Sequence, residues 1–156
     1  MTRLQGLYET ADGLGLQICY FPMGQITAIS TPDGFIGMDV DKLENTAEET
    51  VCLAHEMGHC LTGSFYTVES SLCQQRRCEE RADRWAIRQL VPLEDLKRAL
   101  EMGLRPHELA ELFGVPEEFL RRCVYYSHRA NPVTQCQNCN LPSSSDLHIC
   151  DADRRQ

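Results

Sequence analysis

The chain has 156 residues, enough to bury a core without covalent staples, and the length of one ordinary domain with at most a small appendage. Its formal charge of −8 argues against electrostatic binding of nucleic acid as its main task and leaves room only for a local basic face. No segment approaches the roughly 18 consecutive apolar residues of a membrane span, and MTRLQGLYETADG at the start has no signal-like apolar run, so a cytoplasmic location is expected.

Nine cysteines, an odd number without a regular framework over the first 130 residues, favour free thiols over disulfides in such a chain. Taken in order, LGLQICYF at 14–21 follows an Asp-Gly turn and reads as a strand. Pro22 and Gly24 break it. QITAIS at 25–30 alternates, Thr31-Pro32-Asp33-Gly34 is turn chemistry, and FIGMDV at 35–40 follows, which together signal a hairpin. A small antiparallel sheet of three strands is the expectation.

Asn45 and Thr46 are good N-cap residues with Glu48 and Glu49 three positions on, and Gly63 is a stop signal, so a helix is expected over 46–62. Within it, His55-Glu56-Met57-Gly58-His59 spells H-E-x-x-H. Residues four apart on a helix lie on one face, about 5–6 Å apart at Cβ, so His55 and His59 can direct two imidazoles at one metal ion. Those are two of the three protein ligands that a catalytic zinc needs, and Glu56 is a candidate base beside a metal-held water. The flanking Val51, Leu53, Ala54, Met57 and Leu61 are too apolar for an exposed helix, so the polar groups among them need partners. Gly58 costs about 1 kcal/mol relative to alanine inside a helix, which implies a close backbone approach at that point.

SFYTVESSLCQQ at 64–75 is expected to be a loop. RRCEERADRWAIRQL at 76–90 returns to helical periodicity, with Cys78, Ala82, Trp85, Ala86 and Leu90 on one face. A carboxylate on the small-residue side of this helix can supply the third ligand: Glu79, with Glu80 as the alternative. Asp83, one turn after Glu79, can accept the free N–H of a liganding histidine and fix its tautomer. Cys60 and Cys78 flank these positions, and buried packing is the preferred role for both.

The combination of His55-Glu56-x-x-His59 with Glu79-x-x-Ala82-Asp83-x-Trp85-Ala86 and Leu90-Val91-Pro92 resembles the ImmA/IrrE family of zinc metallopeptidases of phages, mobile elements and bacterial stress responses. The resemblance covers roughly positions 5 to 125. Trp85 and Val91 depart mildly from the residues usual in the family. The resemblance implies His55, His59 and Glu79 as zinc ligands and Glu56 as general base. It also implies a protein substrate, a helix-turn-helix repressor cut to relieve repression.

Leu93 to Glu101 reads as a short amphipathic helix, and Pro106 to Phe113 with Glu117 to Tyr126 as helix, tight turn, helix. That is a helix-turn-helix outline, but Glu108, Glu111, Glu117 and Glu118 crowd it, so a docking surface for the substrate protein is preferred over DNA binding through 106–126. Tyr125, Tyr126 and His128 are candidates for stabilising an oxyanion. In the loop-rich tail, Cys136, Cys139, His148 and Cys150 offer four ligands for a small structural zinc knuckle.

The expected protein is therefore α+β, with a small antiparallel N-terminal sheet on a zincin-like helical core and a helix-turn-helix-like C-terminal segment. Residues 1–130 form the domain, of which 93–130 is the helical C-terminal part, and 131–156 form the tail. The expected activity is zinc-dependent endopeptidase. Its rivals are a non-catalytic, metal-stabilised regulator that binds a repressor or DNA, and a structural zinc protein whose metal is closed by Cys60 or Cys78.

Overall fold

The structure is a computed structural model and describes residues 2–130. The tail positions Cys136, Cys139, His148 and Cys150 lie outside the described residues. The chain divides into two compact units, one running to Leu90 and one beginning at Val91. Among the described residues no helix is long and apolar enough to cross a membrane.

The first unit opens on a helix that the sequence pattern did not suggest, α1 (Arg3–Gly13). Thr2 caps it, accepting from the Gln5 amide while Gln5 returns a bond to the Thr2 amide. Leu7 and Ala11, four apart, are its buried contacts. Two glycines within eleven residues lower its helix propensity, so capping and burial carry it.

Three short strands follow, β1 (Gln17–Tyr20), β2 (Ala28–Ser30) and β3 (Phe35–Met38). β2 and β3 form the expected hairpin, closed by the Gly34 amide donating to Thr31 O at 3.0 Å, with Gly34 at φ 86° where a side chain would be strained. The sheet is not antiparallel throughout, as expected, but mixed. Its order is β1-β3-β2, and β1 runs parallel to β3, with Ile18 opposite Ile36. Ile36 and Met38 are fully buried, so the most apolar strand takes the centre. Residues 21–27 carry the chain across to the far edge before it turns back.

Asp39 leads into a 3-10 turn (Val40–Lys42) and then α2 (Thr46–Thr62), whose limits are those that its caps predict. Asn45 Oδ1 accepts from the Glu48 amide at 3.0 Å, and Gly63 ends the helix in the left-handed conformation at φ 61°. Every residue from Thr50 to His59 is buried. α3 (Leu72–Leu90) begins four residues earlier than periodicity indicated and buries Cys78, Ala82, Ala86, Ile87 and Leu90.

Gly58 explains how closely α2 and α3 pack. A Cβ there would lie 2.6 Å from Ala82 O and 2.9 Å from Ala82 Cα, closer than non-bonded atoms can come. The two backbones are thus in direct contact through a glycine and an alanine.

The second unit holds α4 (Leu93–Glu101), α5 (Pro106–Phe113) and α6 (Glu117–Ala130). Gly114, at φ 65°, makes the tight turn after α5, and Phe113, Val115, Phe119, Leu120 and Cys123 are among the unit's buried residues. The six cysteines among the described residues are free thiols.

Candidate metal centre

α2 presents His55 and His59 one turn apart on its buried side, with their Nε2 atoms 3.1 Å from one another. α3 presents Glu79 opposite them. Its Oε2 is 3.0 Å from His55 Nε2 and its Oε1 is 3.4 Å from His59 Nε2. The ligand atoms of these three residues lie within 4.8 Å of one another. Glu80 points elsewhere, paired at 4.0 Å with Arg84 on an exposed face.

The outer nitrogens of both imidazoles are taken. His55 Nδ1 is 2.8 Å from Asp83 Oδ1, and His59 Nδ1 donates to Ser64 O at 2.5 Å. A carbonyl only accepts, so His59 carries a proton on Nδ1, which leaves Nε2 as the nitrogen that faces Glu79 and can serve a metal. Two imidazole nitrogens and a carboxylate converging on one point repel each other unless a cation lies between them. This donor set fits a divalent ion of the zinc type with one coordination position left over.

In the metal-free protein a proton takes that role. Burial opposes charge on His55, but hydrogen bonds to Asp83 and Glu79 and the field of nearby carboxylates outweigh it, and its pKa is pushed up to about 10. Burial acts to raise Glu79 in turn, but hydrogen bonds from His55, His59 and Tyr66 hold its carboxyl well below the usual carboxylate range. The raised His55 pKa gives the metal-free fold a stabilisation that is complete below about pH 6.5 and is lost as pH rises through about 10. Metal binding must expel that proton, so affinity rises with pH across the same window. Calorimetric zinc titration at pH 7 in buffers of different protonation enthalpy should therefore show release of about one proton per ion. Release of none would contradict it.

Glu56 stands apart from the ligand set. It is 7% exposed, and its Oε2 accepts a hydrogen bond from Ser30 Oγ at 2.6 Å, which ties it to the end of β2. Ser30, Ser64 and Tyr66, all without a motif, complete the surroundings. Tyr66 donates to Glu79 Oε1 at 2.6 Å, and burial together with that bond pushes its phenol well above its usual range. Ser64 acts through its backbone carbonyl, which no side-chain pattern can reveal. Tyr125, Tyr126 and His128 stand on α6 in the second unit.

The cysteine thiols near these positions bond elsewhere. Cys78 Sγ donates to Phe65 O at 3.6 Å, and Cys60 Sγ to Thr31 O at 3.8 Å. Burial and the nearby Glu56 push the Cys60 thiol upward, away from the thiolate a metal takes. Glu79→Ala should therefore weaken zinc binding by more than about 100-fold, beyond the cost of losing an outer partner, while Cys78→Ser should leave it unchanged. Equal losses in a chelator competition would place the metal on sulfur.

A helix carrying two inward imidazoles, a second helix supplying a carboxylate and a small sheet alongside make the centre of a metallopeptidase-like protein. The model of the IrrE N-terminal-like domain family, the M78 peptidases, matches residues 11–125, and the chain belongs to that family. Membership supports a metallopeptidase-like function and a protein as substrate. Neither a curated protein nor a solved structure matches the chain.

Proposed function

We propose that the protein is a zinc-dependent endopeptidase that cuts a DNA-binding repressor of the helix-turn-helix kind and so relieves repression. His55, His59 and Glu79 hold the ion in this reading, Asp83 fixes the His55 ring, and Glu56 is the general base. The observation that carries it is the division of labour between carboxylates: Glu79 faces both inner nitrogens, while Glu56 is tethered by Ser30 and left out of the ligand set. When bound, zinc supplies Lewis-acid polarisation of a water and of the scissile carbonyl. Glu56 accepts the proton of the attacking water on its carboxylate and returns it to the leaving amine nitrogen.

The substrate strand needs a free sheet edge. The 35–40 strand is β3, and it is paired on both sides. β2 is the edge that reaches the centre, through Ser30, so an extended peptide adding to β2 lies beside Glu56. DNA reading by α5 and α6 is disfavoured because Arg105 and Arg121 are paired with Glu108 and Glu117 and Arg122 is buried. A phage or mobile-element setting belongs to the same reading and rests on the family resemblance, and the cytoplasmic location is kept with it as the expectation drawn from the sequence.

The test is co-expression with a candidate repressor encoded beside this chain. Two repressor fragments should appear with the wild type and none with Glu56→Gln. Derepression of equal extent by both proteins, with the repressor intact, would make the chain a sequestering regulator.

A further inference from the structure

Each ligand of the proposed centre is gripped from outside. Asp83 takes His55 and the Ser64 carbonyl takes His59. The exposed member of the set is Glu79, whose side chain is 35% accessible against 4% for His55. A glutamate side chain loses much rotamer freedom when it is fixed, and water competes for an exposed carboxylate, so Glu79 most needs a holder.

Tyr66 meets that need. Its hydroxyl is 2.6 Å from Glu79 Oε1, and its ring meets His59 edge-on with centroids 6.4 Å apart. The segment that delivers it is anchored to both helices. The Ser64 amide donates to His59 O at 3.1 Å, Ser64 Oγ is 2.6 Å from Thr62 Oγ1, and Phe65 O accepts from Cys78 Sγ on α3. One short segment after α2 thus reaches two of the three ligands, His59 through a carbonyl and Glu79 through a phenol.

We propose that Tyr66 is the positioning residue of the carboxylate ligand: its hydroxyl holds Glu79 Oε1 and keeps the Glu79 carboxylate turned toward His55 and His59. The role rests on reading Glu79 as a ligand. It does not depend on whether the centre cleaves peptides. Outer partners of metal ligands are worth about 10–100-fold in affinity, which sets the expected effect.

Tyr66→Phe isolates the hydroxyl, because the ring remains against His59. Zinc affinity of the full chain is measured by competition with a chromophoric chelator, with Glu79→Ala marking what the rest of the chain binds. The visible spectrum of the cobalt(II)-loaded protein reports the ligand geometry. Tyr66→Phe should lose about 10–100-fold in zinc affinity and shift the cobalt bands, with far-ultraviolet circular dichroism unchanged. Affinity and cobalt spectrum equal to wild type would overturn the proposal, whatever happens to turnover; a fall in turnover alone would make the hydroxyl a group acting on substrate. If Tyr66→Phe loses affinity but the wild type cuts no repressor, the positioning role stands and the peptidase reading fails. If Glu79→Ala retains full affinity, both fall.

Discussion

Glu56→Gln is expected to lower the rate of peptide cleavage by about 10²–10⁴-fold, the usual worth of a positioned general base. Glutamine keeps the size and the oxygen that accepts from Ser30 Oγ, so the packing of a side chain only 7% exposed is preserved. It cannot take a proton from water at neutral pH. Because Glu56 is not among the three side chains that could hold a metal ion, zinc content should stay at the wild-type level. Single-turnover cleavage of a purified repressor, with metal analysis of the same sample, checks both halves. Unchanged cleavage would remove Glu56 from the chemistry, and loss of zinc with activity would make it a ligand.

Gly58→Ala gives the second large effect, and its sign separates two physical arguments. Helix propensity alone favours alanine by about 1 kcal/mol in a helix interior. The packing says the reverse, because the new methyl would sit 2.6 Å from Ala82 O, a backbone atom that cannot rotate away. Overpacking of this kind costs about 1–3 kcal/mol, and relief requires α3 to move off α2. Ala82 lies between Glu79 and Asp83, so such a movement withdraws the carboxylate and the His55 partner together. The variant should unfold at lower denaturant concentration than the wild type and bind zinc at least about tenfold more weakly, as expected when outer-shell geometry is lost. A variant more stable than wild type would mean that the helices are not in backbone contact at this point.

That contact was foreshadowed by a glycine in a buried helix, and much else at the centre was legible in the same way. The limits of α2 follow from Asn45 and Gly63, and the i, i+4 spacing of His55 and His59 puts both rings on one side. The small-residue stripe Ala82 and Ala86 marked the side of α3 that faces α2, and Glu79 and Asp83 reach His55 from it. These features are local, so one helical period exposes them.

What escaped depends on contacts between distant segments or on backbone atoms. α1 is carried by a reciprocal cap and two buried residues, too little apolar signal to outweigh Gly6 and Gly13. The place of β3 between β1 and β2 is set by the burial of Ile36 and Met38 against the rest of the unit, whereas the turn residues report only the β2–β3 hairpin. Ser30 meets Glu56 across 26 positions and Tyr66 meets Glu79 across 13, and neither pair has a spacing rule.

If three side chains from two helices hold one ion, anomalous diffraction at the zinc absorption edge will locate it between them. Crystals of the full chain grown with zinc should show a peak at about 2.0–2.2 Å from His55 Nε2, His59 Nε2 and a Glu79 oxygen, with a non-protein atom as the fourth neighbour. No peak between these residues, or a fourth protein atom closing the site, would contradict the account.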